Sequence, residues 1–249
     1  PSTQGLTATT GTFTGNTTMA GTLGVTGNVG VGTATLSNKL EVDGGSASTR
    51  LRVSTTGTDA NEAGIILANS SKSADNDGIE ISHGGGFTTF SGLTGTEYMR
   101  ISGGTGIITK PLQPAFQARP ASSQDNFAAN GSHVTVVFGT EIFDQNADFA
   151  SNTFTAPVTG RYQLNANLYL ETIDSASSFY QIRIVTSNRT YEAVFDPDFG
   201  QDAAYWNFNI SALADMDASD TALVSIRQGS GTAQTDINAG SSFSGYLVA

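Results

Sequence analysis

The chain has 249 residues and a formal net charge of −11, with 11 basic and 22 acidic side chains and no cysteine. The lack of cysteine excludes disulfides and thiolate metal sites, and with them the secreted class of small domains held by disulfides. Residues 111–249 carry five arginines, no lysine and 14 acidic groups, a balance that argues against binding nucleic-acid phosphates or anionic lipid.

Aromatic residues are unevenly distributed along the chain. Only four of the 22 precede residue 111, namely Phe13, Phe87, Phe90 and Tyr98. A conventional core is therefore expected only in the C-terminal part. We predict three segments: a fibrous β-repeat shaft at 1–49, a small β-rich shaft module with a hinge at 50–110, and a globular domain at 111–249. No apolar run approaches the roughly 20 residues that span a bilayer, and no signal peptide is recognisable.

The N-terminal segment has a repeat of six residues. Apolar side chains recur at Phe13, Met19, Val25 and Val31, and glycines recur at Gly15, Gly21 and Gly27. An even spacing keeps the apolar side chains on one face of an extended strand. The stripe is too sparse to offset the cost of ordering one chain, so the pattern predicts three intertwined copies. The alternative is a flexible Gly/Thr linker whose periodicity is accidental.

Residues 28–44 read NVGVGTATLSNKLEVDG. This motif resembles the N-V-G-[IV]-G-T-x-x-P-x-x-K-L-x-V-x-G repeat of bacteriophage tail fibres and trimeric adhesins. One position departs from it, because Leu36 stands where the family usually has proline. Proline mainly pre-sets the turn there, so the departure weakens the resemblance little.

The middle segment alternates short apolar runs with turn clusters. We predict strands at 51–53, 64–68, 78–82, 87–90 and 98–101, separated by turns that include residues 74–78 and 83–86. A Gly/Pro hinge is predicted at 103–114, with Pro111 and Pro114 at the entry to the last domain.

The last domain shows the alternation of half-buried strands. Trp206, Phe208 and Ile210 share one face of a predicted strand. Strands are predicted at 115–119, 134–138, 160–171, 179–187, 190–195, 206–213, 222–227 and 242–248. Eight antiparallel strands in about 135 residues fit one jelly roll. The predicted fold class is therefore all-β, with a fibrous shaft, a small β-rich module and a jelly-roll sandwich.

A second motif lies at the start of the longest predicted strand. Residues 154–164 read FTAPVTGRYQL, with Asn146 and Phe149 upstream and FSGYLV at 243–248. This pattern resembles the globular head of the complement and tumour-necrosis-factor jelly-roll superfamily. The resemblance implies a trimeric binding domain rather than an enzyme.

Candidates for chemistry are few. The two histidines, His83 and His133, lie in different segments and outside any nucleophile or metal motif. Asp196 with Asp198, and Asp215 with Asp217, are carboxylate pairs of the kind that glycoside hydrolysis requires. These pairs lie in predicted loops without flanking aromatic subsites, so we interpret them as solvated loop residues.

One cluster of three aspartates is also a candidate calcium site. Asp215, Asp217 and Asp220 offer the oxygen ligands that calcium prefers. They lack the glycine and the distal glutamate of a helix-loop-helix calcium loop, and the resemblance to complement heads implies that Asp220 is a turn residue before a core strand. No metal and no cofactor are predicted.

The loop before Tyr205 is the best candidate for recognition. Asp196, Asp198 and Gln201 can form hydrogen bonds with sugar hydroxyls, and Phe199 and Tyr205 can offer apolar platforms to a sugar ring. A plain connecting loop is the alternative interpretation.

Together the motifs predict a phage tail-fibre receptor-binding protein, located in the virion, that assembles as a homotrimer. Its expected partners are a host polysaccharide or outer-membrane protein and other virion tail proteins, without nucleic acid and without membrane insertion. The alternatives are a tail-spike depolymerase of surface polysaccharide and a non-viral complement-head-like structural or adhesion protein. A free signalling ligand is disfavoured because it has no need of fibre repeats.

Overall fold

The computed structural model describes residues 29–31, 40–42, 63–68 and 78–249. The chain divides into two compact units, 1–56 and 57–249. In the first unit, β1 (Val29–Val31) and β2 (Leu40–Val42) pair in parallel and lie within the tail-fibre-like motif. The rest of the repeat and the predicted strand at 51–53 lie outside the described residues.

The second unit begins with a five-stranded antiparallel sheet. Its strands are β3 (Ala63–Ala68), β4 (Gly78–Gly84), β5 (Phe87–Gly92), β6 (Glu97–Ser102) and β7 (Ile108–Thr109), and they pair in chain order. The four predicted strands that fall here are confirmed, each at least as long as predicted. The predicted hinge contains β7, and the carbonyl oxygens of Lys110 and Pro111 accept hydrogen bonds from the Gln145 amide.

Twelve further strands form a sandwich of two antiparallel sheets. They are β8 (Ala115–Arg119), β9 (Val134–Thr135), β10 (Thr140–Asp144), β11 (Phe149–Ala150), β12 (Thr153–Thr155), β13 (Gly160–Ile173), β14 (Tyr180–Thr186), β15 (Thr190–Phe195), β16 (Ala203–Met216), β17 (Thr221–Gln228), β18 (Asp236–Ile237) and β19 (Ser242–Leu247). The first sheet has the order β10-β8-β19-β13-β16, with β18 beside β13. The second has the order β11-β12-β17-β14-β15, with β9 beside β17. No helix occurs in the described residues, and the predicted all-β class with a jelly-roll sandwich is confirmed.

The core lies between the two sheets and is rich in aromatic rings. Phe116 in the first sheet stacks on Phe149 and Phe154 in the second, with ring centroids 5.0 and 4.7 Å apart. Strand β13 contributes alternate residues to this core, including Tyr162 and Leu164, as its period of two predicted. Burial of these large side chains is the main stabilising contribution to the domain.

The predicted strand at 134–138 is too long. Only Val134–Thr135 is strand; the Val136 N–H still donates to the carbonyl oxygen of Val224 in β17, but the two amides after it bond to side chains instead. The Val137 N–H donates to the Gln124 side chain, and the Phe138 N–H donates to the Asn152 side chain. Strand β16, in contrast, is longer than predicted, because it starts at Ala203 rather than at Trp206.

Candidate ligand-binding rim

The predicted recognition loop connects the two sheets at one end of the sandwich. Residues 196–202 join β15, an edge strand of the second sheet, to β16, an edge strand of the first. Asp196, Asp198, Phe199 and Gln201 are all exposed in this loop. A rigid β scaffold that presents a loop at its end is a common arrangement for binding.

An aromatic cluster extends from the core to the surface beside this loop. Phe195 contacts the buried Phe208 edge-on at 4.9 Å between ring centroids, and it stacks on Trp206 at 5.1 Å. Phe199 then covers Trp206 at 5.2 Å. Phe199 and Trp206 are 40% and 38% exposed, so each offers part of its ring to solvent. We call Phe195, Phe199 and Trp206 the aromatic rim.

The base of the loop is held by hydrogen bonds to Asp202. One carboxylate oxygen accepts the N–H and the hydroxyl of Ser175, at 2.9 and 2.8 Å, and the other accepts the amide of Gln234 at 2.9 Å. The hydrogen bonds from Ser175 and Gln234 hold the pKa of Asp202 below its ordinary value, because they stabilise the charged carboxylate. Gly200 adopts a φ of 73°, which allows the chain to turn between Phe199 and Gln201. The rim is therefore a restrained surface.

The structure places Phe199 and Tyr205, the two aromatic residues of the predicted site, on different surfaces. Tyr205 and Trp206 are neighbours in β16 and therefore point to opposite faces of the strand. Tyr205 lies on the outer face of the first sheet, 5.9 Å from Tyr169, whereas Phe199 packs with Trp206. Tyr205 is 64% exposed, so a ligand can reach it from that outer face. The five predicted residues thus form two surfaces.

Sequence reasoning did not include Trp206 and Phe195 in the candidate site. The alternation of apolar residues along β16 predicted that Trp206 faces the core. The register confirms this orientation, since Trp206 pairs with the buried Leu170. At the end of an edge strand, however, the core face is only partly covered. The sequence does show that Phe195 and Trp206 flank the loop that contains Phe199.

The other carboxylate candidates are engaged with protein groups. Asp215 forms an ion pair with Arg189 at 2.7 Å. Asp220 accepts the N–H of Asp217 at 2.8 Å, which agrees with the turn role that was expected of it. Among the described residues, no group of three or more His, Cys, Asp or Glu side chains is arranged to hold a metal ion.

The two histidines lie on different sheets. His83 in β4 contacts the Thr88 hydroxyl at 3.0 Å, and His133 lies beside Ser225 on the second sheet of the sandwich. The described part of the chain also contains no helix with the length and apolar character needed to cross a membrane.

Comparison with known proteins agrees with the sandwich. The sequence model of the C1q domain matches residues 115–248. The chain belongs to the C1q domain family. This match confirms the resemblance to complement heads that the motif at 154–164 indicated, and the C1q domain contains both the aromatic rim and Tyr205.

Solved structures similar to the chain cover just over half of it. The globular domain of zebrafish complement 1qA protein is 17% identical and has a TM-score of 0.41, with 55% of this chain and 98% of that chain covered. Murine APRIL, in a crystal structure at pH 8.5, is 10% identical and has a TM-score of 0.40, with 55% and 99% covered. No curated protein matches the chain.

Proposed function

We propose that this protein is a phage tail-fibre receptor-binding protein that attaches the virion to a glycan on the bacterial surface through its C1q domain. The observation that carries the proposal is the partly exposed aromatic rim, which is restrained by stacking and by the anchored loop. Apolar ring faces flanked by exposed carboxylates and an amide suit a sugar, whose rings have apolar faces and hydroxyl edges. Further support comes from the tail-fibre-like motif at 28–44.

We propose that the fibre is a homotrimer, and the outer face of the first sheet supports this assembly. Leu213 on β16 and Tyr246 on β19 lie on either side of Gln163 in one cross-strand row. They are 54% and 51% exposed, and Phe143 on β10 is 49% exposed. A second copy packed on this face would remove these apolar side chains from water. Three copies on one shaft would also combine weak sites by effective concentration.

Binding can be measured at the rim itself. Trp206 is the only tryptophan of the chain, so intrinsic fluorescence reports on this surface. We expect polysaccharide from the host surface to change the emission of the full chain, with weaker binding in the Phe199→Ala variant. The matched control is Val158→Ala, because Val158 is 47% exposed and precedes the end of β13 that lies farthest from the loop.

The Tyr205→Ala variant separates the two surfaces. If the rim alone binds, Tyr205→Ala keeps the affinity of the wild type, because Tyr205 lies on the opposite face of β16. Unchanged affinity in both the Phe199→Ala and the Tyr205→Ala variants would contradict glycan binding at this end of the domain. The non-viral alternative fits a C1q domain equally well, and detection of the chain in purified virions would decide against it.

A further inference from the structure

The outer face of the second sheet carries a cluster of basic and unpaired polar groups. Residues 111–249 hold only five arginines and one histidine. Two of those arginines, Arg183 and Arg227, lie here together with His133. They stand on strands β14 and β17, where Arg183 pairs with Ser225 and Arg227 pairs with Gln181. A cluster of positive charge in a domain of net negative charge calls for a specific explanation.

The cluster concentrates polar atoms that have no partner. Among the described residues, seven buried side-chain nitrogen or oxygen atoms make no hydrogen bond, and two of them are the Nε donors of Arg183 and Arg227. Gln181 itself is only 4% exposed. Buried polar groups are normally satisfied, so two unsatisfied arginine donors on adjacent strands favour an acceptor that is supplied from outside.

Arg227 differs from the neighbouring arginine in its partners. Arg183 forms an ion pair with Glu192 at 2.8 Å, and the other oxygen of Glu192 accepts the amide of Gln181 at 2.8 Å. Arg227 makes no ion pair with any described residue, and its guanidinium lies 4.9 Å over the ring of Phe179. Stacking on the ring fixes the plane of the guanidinium, and a planar fork of donors matches a carboxylate.

His133 is influenced by two arginines and one glutamate. Burial lowers the pKa of His133 from its ordinary value, and the charges of Arg183 and then Arg227 lower it further. The charge of Glu192 and a hydrogen bond with the Gln181 side chain raise this pKa, without cancelling the decrease. Two arginines thus face one glutamate beside His133, although the domain as a whole is acidic. Charges beyond about 8–10 Å are largely screened at physiological ionic strength.

The cluster lies at the same end of the sandwich as the aromatic rim. Gln181 pairs with Val194, and the next residue of β15 is Phe195 of the rim. Val194 is 57% exposed between the two features. Thr135, which pairs with Ser225 across β9 and β17, adds an exposed neutral hydroxyl group beside the arginines. A chain of sugars that contacts the rim can therefore continue onto this face.

We propose that Arg227, stacked on Phe179, together with Arg183 and His133, binds the carboxylate of an acidic sugar. The ligand class is a polysaccharide that contains uronic or similar acidic residues. The sugar part of this inference rests on the proposed glycan-binding function, whereas the carboxylate site is testable by itself. An acidic protein segment would offer the same carboxylate, but the exposed Thr135 hydroxyl and the aromatic rim favour a sugar.

The test uses the full chain and observes the arginine Nε–H and histidine ring resonances by NMR. Sodium glucuronate at millimolar concentration should shift the signals of Arg227 and His133, and glucose at equal ionic strength should not. Arg227→Gln should weaken glucuronate binding at least about tenfold, as expected when one partner of a desolvated charge pair is removed. Arg227→Lys keeps the charge but loses the planar fork, and should also weaken binding.

The matched control is Arg161→Gln, which removes the same charge from an exposed position of β13 on the first sheet. It should leave the affinity for glucuronate unchanged. Equal affinity in wild type and Arg227→Gln, equal shifts with glucose, or no shifts at all would overturn the proposal. A shift with an acidic peptide but not with glucuronate would also overturn it in favour of a protein ligand. If Phe199→Ala fails to attach to cells but Arg227→Gln still attaches, the aromatic rim remains the proposed binding surface. The carboxylate site is then refuted as part of that surface.

Discussion

The hydroxyl group of Tyr162 donates a 2.8 Å hydrogen bond to the carbonyl oxygen of Val158, across the turn that starts β13. The Tyr162 ring is fully buried and lies 5.3 Å from the Phe154 ring of the opposite sheet. One side chain thus fixes both the turn of the FTAPVTGRYQL motif and the packing of the two sheets.

The Tyr162→Ala variant should destabilise the domain by about 3–5 kcal/mol, because it leaves a cavity between the sheets. Tyr162→Phe keeps the ring and should cost only about 1 kcal/mol for the lost hydrogen bond. Chemical denaturation of both variants measures the difference. An unchanged midpoint for Tyr162→Ala would contradict the register of β13.

Gly245 lies where β19 passes closest to the core. A Cβ atom at this position would come within 2.6 Å of Leu164 Cδ2 and 2.8 Å of the Phe116 ring. We therefore expect Gly245→Ala to destabilise the domain by about 1–3 kcal/mol through overpacking. Gly104→Ala is the control, because a Cβ there meets no atom within 4 Å. Equal melting temperatures of the two variants would refute the close approach.

Asp148 should make the domain less stable as the pH rises. Burial, and then the neighbouring charge of Asp144, raises the pKa of Asp148, and one of its oxygens is buried without a partner. The folded state thus holds this proton more tightly than the unfolded state. The resulting stabilisation is present below the unfolded pKa and is lost as the pH rises through the folded pKa.

Asp148→Asn should accordingly raise the melting temperature at neutral pH and change it little at about pH 3, below the usual carboxyl range. The exposed Asp125→Asn provides the control for a simple loss of one negative charge. A gain in Asp148→Asn that is equal at both pH values would show that the buried charge is not its cause.

Much of the sandwich could be predicted from the sequence, because burial imposes a period of two on long strands. Strands β8 and β15 have the predicted ends, and β13 differs only by its last two residues. The missed strands lack that pattern. In β10 the register shifts between Glu141 and Phe143, and β11 and β12 have two and three residues. Left-handed residues such as Ser151 and Asn152 separate β11 from β12.

The candidate sites were harder to predict because they depend on contacts across sheets. The loop at 196–202 was recognisable from its composition. The contact of the Phe199 ring with Trp206, however, depends on two edge strands that lie beside each other, and no local sequence pattern encodes it. The cluster around Arg227 gave no signal either, since its members come from positions 133, 183 and 227.

We predict that the protein assembles as a homotrimer. We expect the full chain to elute with a mass of three times 25.7 kDa in gel filtration coupled to light scattering. Leu213→Asp should weaken the trimer, because a charge replaces an exposed apolar side chain on the outer face of the first sheet. Val194→Asp, at a similarly exposed position of the second sheet, should not weaken it. A folded monomer at micromolar concentration would contradict the trimer.

The most direct test of the proposed function is attachment of the labelled full chain to cells of the bacterial host. We expect saturable binding that Phe199→Ala abolishes, with the trimer and its melting temperature unchanged, and no release of reducing sugar from the envelope. Retained attachment of Phe199→Ala would contradict binding at the rim. Reducing-sugar release by the wild type that is lost in Asp196→Asn or Asp198→Asn would contradict the adhesin and establish a depolymerase.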